Sequence, residues 1–182
     1  MTAVTTLPMS LDGWTVDDLA GLSDEDAKRC ELVDGALLLM APPGLQHGYS
    51  QGGLVVALAA AVPPHLCVVV ESELRFDRRN VRLPDVAVVH RSALAREFAS
   101  PGDVLLAVEV MGRGSIANDR VAKPAQYAAA GIPAFWRLEL RERVLVTHVL
   151  DGEAYRETGR WTGAAVVHEP FPVTLAVPDL LV

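Results

Sequence analysis

Three residues of this 182-residue chain have types and spacings suited to phosphoryl chemistry: Asp85, Glu109 and Lys123. Asp85 stands in LPDVAVV, at the mouth of an apolar run and directly after a proline. Glu109 lies inside the next apolar run, LLAVEVM, where an ionised carboxylate is costly unless something positive meets it. Lys123 follows fourteen residues later and is one of only two lysines, the other being Lys28, against fourteen arginines. Two carboxylates on adjacent strands can share a divalent cation. A hard ion such as Mg²⁺ or Mn²⁺ would offset the burial of both acids while polarising a phosphoryl oxygen or activating a water. A lysine beside them supplies a point charge for the scissile phosphate or helps lower the pKa of the attacking water, a proton-trading role closed to arginine.

Each residue taken alone also has an ordinary reading. Pro84-Asp85 is common turn sequence, and Glu109 is also compatible with pairing to a neighbouring arginine. Lys123 sits four residues after Asp119, the spacing of a helical ion pair worth only ~0.3–0.5 kcal/mol. Pro124 weighs against that pair, because proline disfavours helical geometry at the residue before it. Pro124 at the first helical position, with Lys123 just outside, is more natural. His47 is a secondary candidate, as a proton shuttle, a phosphate contact or a structural helix-end histidine. The stretch RFDRRNVR sets Arg75, Arg78, Arg79 and Arg82 against one aspartate. It is either a local patch able to grip a phosphate backbone, together with Arg113, or a solvated hairpin turn. His65, His90, His148 and His168 show no ligand spacing, and Tyr127, Phe135 and Trp136 read as core.

The elements that must position these residues follow from periodicity and turn chemistry. Residues 1–12 read as a flexible tail and 13–182 as one domain. Thr15 with Asp17 and Asp18 signals a helix start running towards Lys28. Asp34-Gly35 between apolar flanks signals a hairpin over 30–40. Residues 46–62 are small and apolar, too long for a strand, and stop at Pro63-Pro64, which predicts a buried helix. Strands are predicted at Val68–Phe76, Val81–His90 and Val104–Met111, the first and third covered on both faces. A second helix ends at Ala-Ala-Ala-Gly, with Gly131 just past its end. A strand at Phe135–Leu140, a hairpin turning at Asp151-Gly152 and an apolar segment packing across the domain from Ala164 complete the chain. This order predicts an α/β sandwich with a mixed sheet.

Composition narrows the function. Half of the residues are hydrophobic (51%) and a fifth charged (21%), as in ordinary globular proteins. The net charge of −7 argues against binding a phosphate backbone over the whole surface, so nucleic-acid contact needs a local patch or bound metal. The longest apolar run, Leu54 to Val62, is far short of the ~20 residues of a membrane span. MTAVTTLP lacks the basic and apolar regions of a signal peptide, so a cytoplasmic location is expected. Cys30 and Cys67 make neither a disulfide framework nor a metal cluster.

The combination of these residues resembles the family of putative restriction endonucleases, a branch of the PD-(D/E)XK nuclease superfamily. The landmarks are TVDDLAGL, ELVDGAL with Glu31, the turn and His47 before the first long helix, LPDVAVV, VEV, and the block D-R-V-x-K-P-x-x-Y-A-A-A-G-I-P-x-F-W from Asp119 to Trp136. The resemblance implies a restriction endonuclease-like α-β-β-β-α-β core with Asp85 and Glu109 as metal ligands, and through the ELVDGAL landmark it offers Glu31 as an extra carboxylate, its ordinary reading being an edge-strand surface acid. The usual superfamily lysine falls two residues after the second acid, where this chain has Met111. The family pattern moves it to the following helix, where Lys123 matches. Gly112-Arg113-Gly114-Ser115 replaces a common Ser-Pro-Ser type turn, and Cys30 replaces a common tyrosine. The expected function is a Mg²⁺- or Mn²⁺-dependent endonuclease hydrolysing DNA phosphodiesters. Weak, salt-sensitive DNA binding and a homodimer are expected with it, since cutting both strands needs two sites. The alternatives are a silent nuclease-fold domain used for binding or assembly, or a nuclease acting on RNA or small nucleotides.

Overall fold

Alternation along the apolar runs assigns successive residues to opposite faces of one large sheet. The computed structural model describes residues 13–19, 21–27, 29–40, 42–112 and 121–182. The expected tail at 1–12, and also Arg113 and Asp119, lie outside the described residues. Six strands form the large sheet: β3 (Leu66–Val70), β6 (Val86–His90), β7 (Val104–Met111), β8 (Ala134–Glu139), β9 (Val144–Asp151) and β10 (Ala154–Trp161). Their spatial order is β10-β9-β8-β7-β6-β3, with β7 and β8 parallel and the other neighbours antiparallel. The sheet is therefore mixed, as the element order predicts.

On one face Val86, Val88, Leu106, Val108, Val110, Trp136 and Leu138 pack against Leu54 and Leu58 of helix α3 (Leu45–Ala61). The C-terminal hairpin of β11 (Ala164–Val167) and β12 (Val173–Ala176) adds Ala165, Val167, Val173 and Leu175 to that layer. On the other face Ala87, Val89, Ala107 and Phe135 meet Tyr127 of helix α4 (Lys123–Ala129) and Ile132. The odd residues of the central strand β7 thus face α4 and the even ones face α3. Glu109 is odd.

A second, four-stranded sheet has the order β2-β1-β5-β4, built from β1 (Cys30–Val33), β2 (Ala36–Leu39), β4 (Leu74–Asp77) and β5 (Asn80–Arg82). Asp34 (φ 52°) and Gly35 (φ 81°) both take the left-handed conformation of a tight hairpin turn, which Asp-Gly favours.

Several expectations are corrected. The N-terminal helix is two short ones, α1 (Val16–Leu19) and α2 (Asp24–Ala27), split around Gly21. Helix α3 is not buried all round. Only Ser50, Leu54 and Leu58 are buried, one residue per turn, while Leu45, Tyr49 and Val56 are exposed. Small residues do allow close packing, since a side chain at Gly53 would start 2.9 Å from Leu180 Cδ2. The predicted strand at 68–76 breaks at Glu71 (φ 45°), so β3 joins the large sheet as a partly exposed edge and β4 joins the small one. The predicted strand at 81–90 breaks at Pro84 in the same way, because proline has no N–H for a central ladder. Leu83-Pro84-Asp85 therefore carries the chain from one sheet into the other. Pro124 is the second rather than the first helical residue of α4, a place where its missing N–H also costs nothing.

Candidate active site at the junction of the two sheets

Pairing of Val86 with Val108 sets the register of β6 against β7, and one further step places Asp85 across from Glu109. Glu109 is 1% exposed, on the α4 face. Lys123 Nζ donates to its Oε2 at 2.8 Å, and Tyr127 Oη donates to its Oε1 at 2.8 Å. These partners are four residues apart on α4 and so share a helix face. Lys123 is itself 2% exposed. Lys123 thus supplies a positive partner for Glu109. Arg137, its cross-strand neighbour on β8, lies 3.2 Å from Glu139.

Glu31 of β1 extends the cluster. It is fully buried, with Oε1 3.1 Å from Lys123 Nζ and Oε2 accepting from Arg82 Nη1 at 2.9 Å. The Leu83 N–H donates to Glu31 Oε1 at 3.1 Å, and Arg82 Nε donates to Gln126 Oε1 at 2.6 Å. The chain Arg82–Glu31–Lys123–Glu109–Tyr127 links both sheets and α4. Its two acids and two bases are each at most 2% exposed. Formal charge cancels, which is the condition for burying four ions, and hydrogen bonds occupy the carboxylate oxygens. Burial first, then the negative charges of Glu109 and Glu31, push the Tyr127 phenol well above its usual range. Tyr127 therefore stays protonated and serves as a donor.

Asp85 sits at the rim. Its Oδ2 accepts from the Val110 N–H at 2.6 Å and lies 3.3 Å from His47 Nε2, in the first turn of α3. One turn further along α3, Gln51 Nε2 donates to the Asp85 carbonyl oxygen at 2.8 Å and to Glu71 Oε1 at 3.2 Å. Asp85 Oδ1 makes no hydrogen bond among the described residues, and its side chain is 19% exposed.

The structure thus links Glu31, Lys123 and Glu109 in one cluster and His47 with Asp85 in a second, Asp85 standing one register step beyond the β6–β7 pairing, across from Glu109. It does not gather the arginines. Arg82 is 1% exposed and turned inward to Glu31, so it is withdrawn from the expected surface patch. Arg75 bonds Glu73 and lies 3.9 Å over the Phe98 ring, Arg78 pairs with Asp17, and Arg79 donates to the Asp34 carbonyl at 3.3 Å. From the sequence Tyr127 reads as core alone. It is core, but its hydroxyl also belongs to the site, and the i,i+4 spacing from Lys123 was the available signal. Gln51 and Gln126 were missed altogether.

The donor set fits a hard divalent cation in type: carboxylate oxygens, one of them, Asp85 Oδ1, without a hydrogen bond among the described residues. Glu109 accepts from Lys123 and Tyr127, and a carboxylate offers about four acceptor sites. Among the described residues no three acidic, histidine or cysteine side chains converge as a ready cage.

A mixed sheet between two helices, with one acid at a strand mouth, a second inside the next strand and a lysine from the helix after it, defines a nuclease-like fold. It is similar to the crystal structure of a putative nuclease belonging to DUF820 from Anabaena variabilis, with a TM-score of 0.71 and 19% identity over 91% of this chain and 96% of that one. The chain belongs to the Uma2 family, described as putative restriction endonuclease, whose model matches residues 16–178. No curated protein matches it.

Proposed function

We propose that this chain is a divalent-metal-dependent endonuclease acting on DNA. The observation that carries the reading is Glu109: a carboxylate buried in a central strand, across from Asp85 and clamped by the one lysine of the following helix. Asp85 and Glu109 would hold Mg²⁺ or Mn²⁺. The bound cation would supply Lewis-acid polarisation of a phosphoryl oxygen and lower the pKa of a water. Lys123, fixed between Glu109 and Glu31, orients the reacting water or the scissile phosphate, and Tyr127 holds the Glu109 carboxylate in place. Arg75, Arg78 and Arg79 grip the backbone weakly, with Arg113 as a further contact. A homodimer would bring two sites to a duplex. Its surface candidate is the uncharged α3, which exposes Leu45, Tyr49 and Val56. A monomer mass by light scattering at micromolar concentration would refute the dimer.

Supercoiled plasmid incubated with Mn²⁺ or Mg²⁺ should be nicked by the wild type and left intact by Asp85→Asn and Lys123→Ala. Either ion should also raise the melting temperature of the wild type but not of Asp85→Asn. A second reading, a scaffold that binds without cutting, is favoured by the charge balance of Glu31, Arg82, Lys123 and Glu109 without any metal. Intact plasmid with every metal at low salt, and no thermal shift, would select it.

A further inference from the structure

We propose that His47 Nε2 is itself a metal ligand beside Asp85, biasing the site toward transition-metal dications such as Mn²⁺ over Mg²⁺ and Ca²⁺. The inference deepens the metal-dependent reading and rests on it. His47 Nε2 and Asp85 Oδ2 are 3.3 Å apart. A charge-assisted N–H···O bond closes to about 2.7–2.9 Å, so this contact is loose as a hydrogen bond. It is close, however, to the ~3 Å that separates adjacent ligand atoms on an octahedral ion with ~2.1 Å bonds.

The pair is also held in place from both sides. The Val110 N–H anchors the Asp85 carboxylate at 2.6 Å, and Gln51 pins α3 to the Asp85 carbonyl at 2.8 Å. Glu31, Lys123 and Glu109, by contrast, are each at most 2% exposed. The His47 and Asp85 side chains keep 17% and 19% exposure, enough for a hydrated ion to reach them. A cation held by few protein atoms, its remaining positions filled by water and substrate phosphate, suits a site without a full cage. Imidazole nitrogen suits first-row transition ions, whereas Mg²⁺ and Ca²⁺ take oxygen. Carboxylates alone would not impose that preference.

The test uses the full chain loaded with Mn²⁺ and read by electron spin echo envelope modulation. Wild type should show a directly bound imidazole nitrogen, absent in His47→Gln and retained in His65→Gln. Calorimetric titration should show Mn²⁺ binding to His47→Gln weakened about tenfold or more, with a smaller loss for Mg²⁺. An unchanged metal-free melting temperature establishes that His47→Gln is folded. Should it fail to fold, the wild-type spectrum decides alone. Mn²⁺ binding that needs Asp85 but shows no nitrogen coupling overturns the His47 ligand and leaves the metal-dependent reading standing. A nitrogen signal that survives His47→Gln also overturns it. Absence of any Mn²⁺ binding overturns both.

Discussion

The charged tip of the β4–β5 hairpin and the charge chain at the sheet junction use the same residue types at different depths. At the tip, Arg78 reaches Asp17 at 2.7 Å with both side chains largely in solvent, 74% and 72% exposed. Four residues on, Arg82 reaches Glu31 at 2.9 Å with both side chains buried. An exposed pair is screened by water and contributes ~0–1 kcal/mol. A buried pair has already lost its hydration, so removing one partner strands the other. Adjacency in sequence groups these arginines, but depth separates a residue available to a partner molecule from one committed to the fold.

The strongest way to break the contrast is Arg82→Met, which should destabilise the protein by ~3–5 kcal/mol in urea unfolding. Adding Glu31→Leu to it should recover much of the loss, as removal of a whole buried pair generally costs less than removal of half. A loss below about 1 kcal/mol in the single variant would show that depth does not matter here.

Tyr127→Phe comes next, removing a hydrogen bond to a charged acceptor worth ~1.5–3 kcal/mol. It should also change the alkaline response. The Tyr127 phenol is raised above its ordinary value of 10.0, so its share of stability is complete below pH 10.0 and is lost as pH rises through the folded pKa. Burial raises Tyr155 in the same sense, so the wild type should decline above pH 10.0 and Tyr127→Phe should decline less steeply. Equal slopes would mean that Tyr127 ionises freely in the fold.

The smallest effect on stability is expected at the tip. Arg78→Ala should change it by no more than ~1 kcal/mol. If the tip meets phosphates, the same variant should reduce the salt-dependence slope of DNA binding by about 1. An unchanged slope would remove Arg78 from the interface.

Local chemistry made part of this legible in the sequence. Asp34-Gly35 announced its hairpin, Gly131 (φ 77°) closed α4, and the apolar run of β7 marked it as covered on both faces. Combined with the family landmarks, Asp85, Glu109 and Lys123 could be singled out together. What stayed hidden depended on distant partners. Residues 68–76 read as one strand because nothing local reveals that its two halves join different sheets. The inward turn of Arg82 and the burial of Glu31 arise only when β1 and β5 pair, through Leu32 and Val81, far apart in the chain. Helix α3 looked buried because its composition is apolar, yet the layer it covers accepts only a narrow stripe.

The burial of Lys123 has a practical consequence. With one other lysine in the whole chain, amine-reactive reagents find very few side-chain targets, and this one is 2% exposed. Its modification therefore requires the junction to open. The rate at which Lys123 is labelled, followed by mass spectrometry, reports the local opening free energy of the site separately from global unfolding.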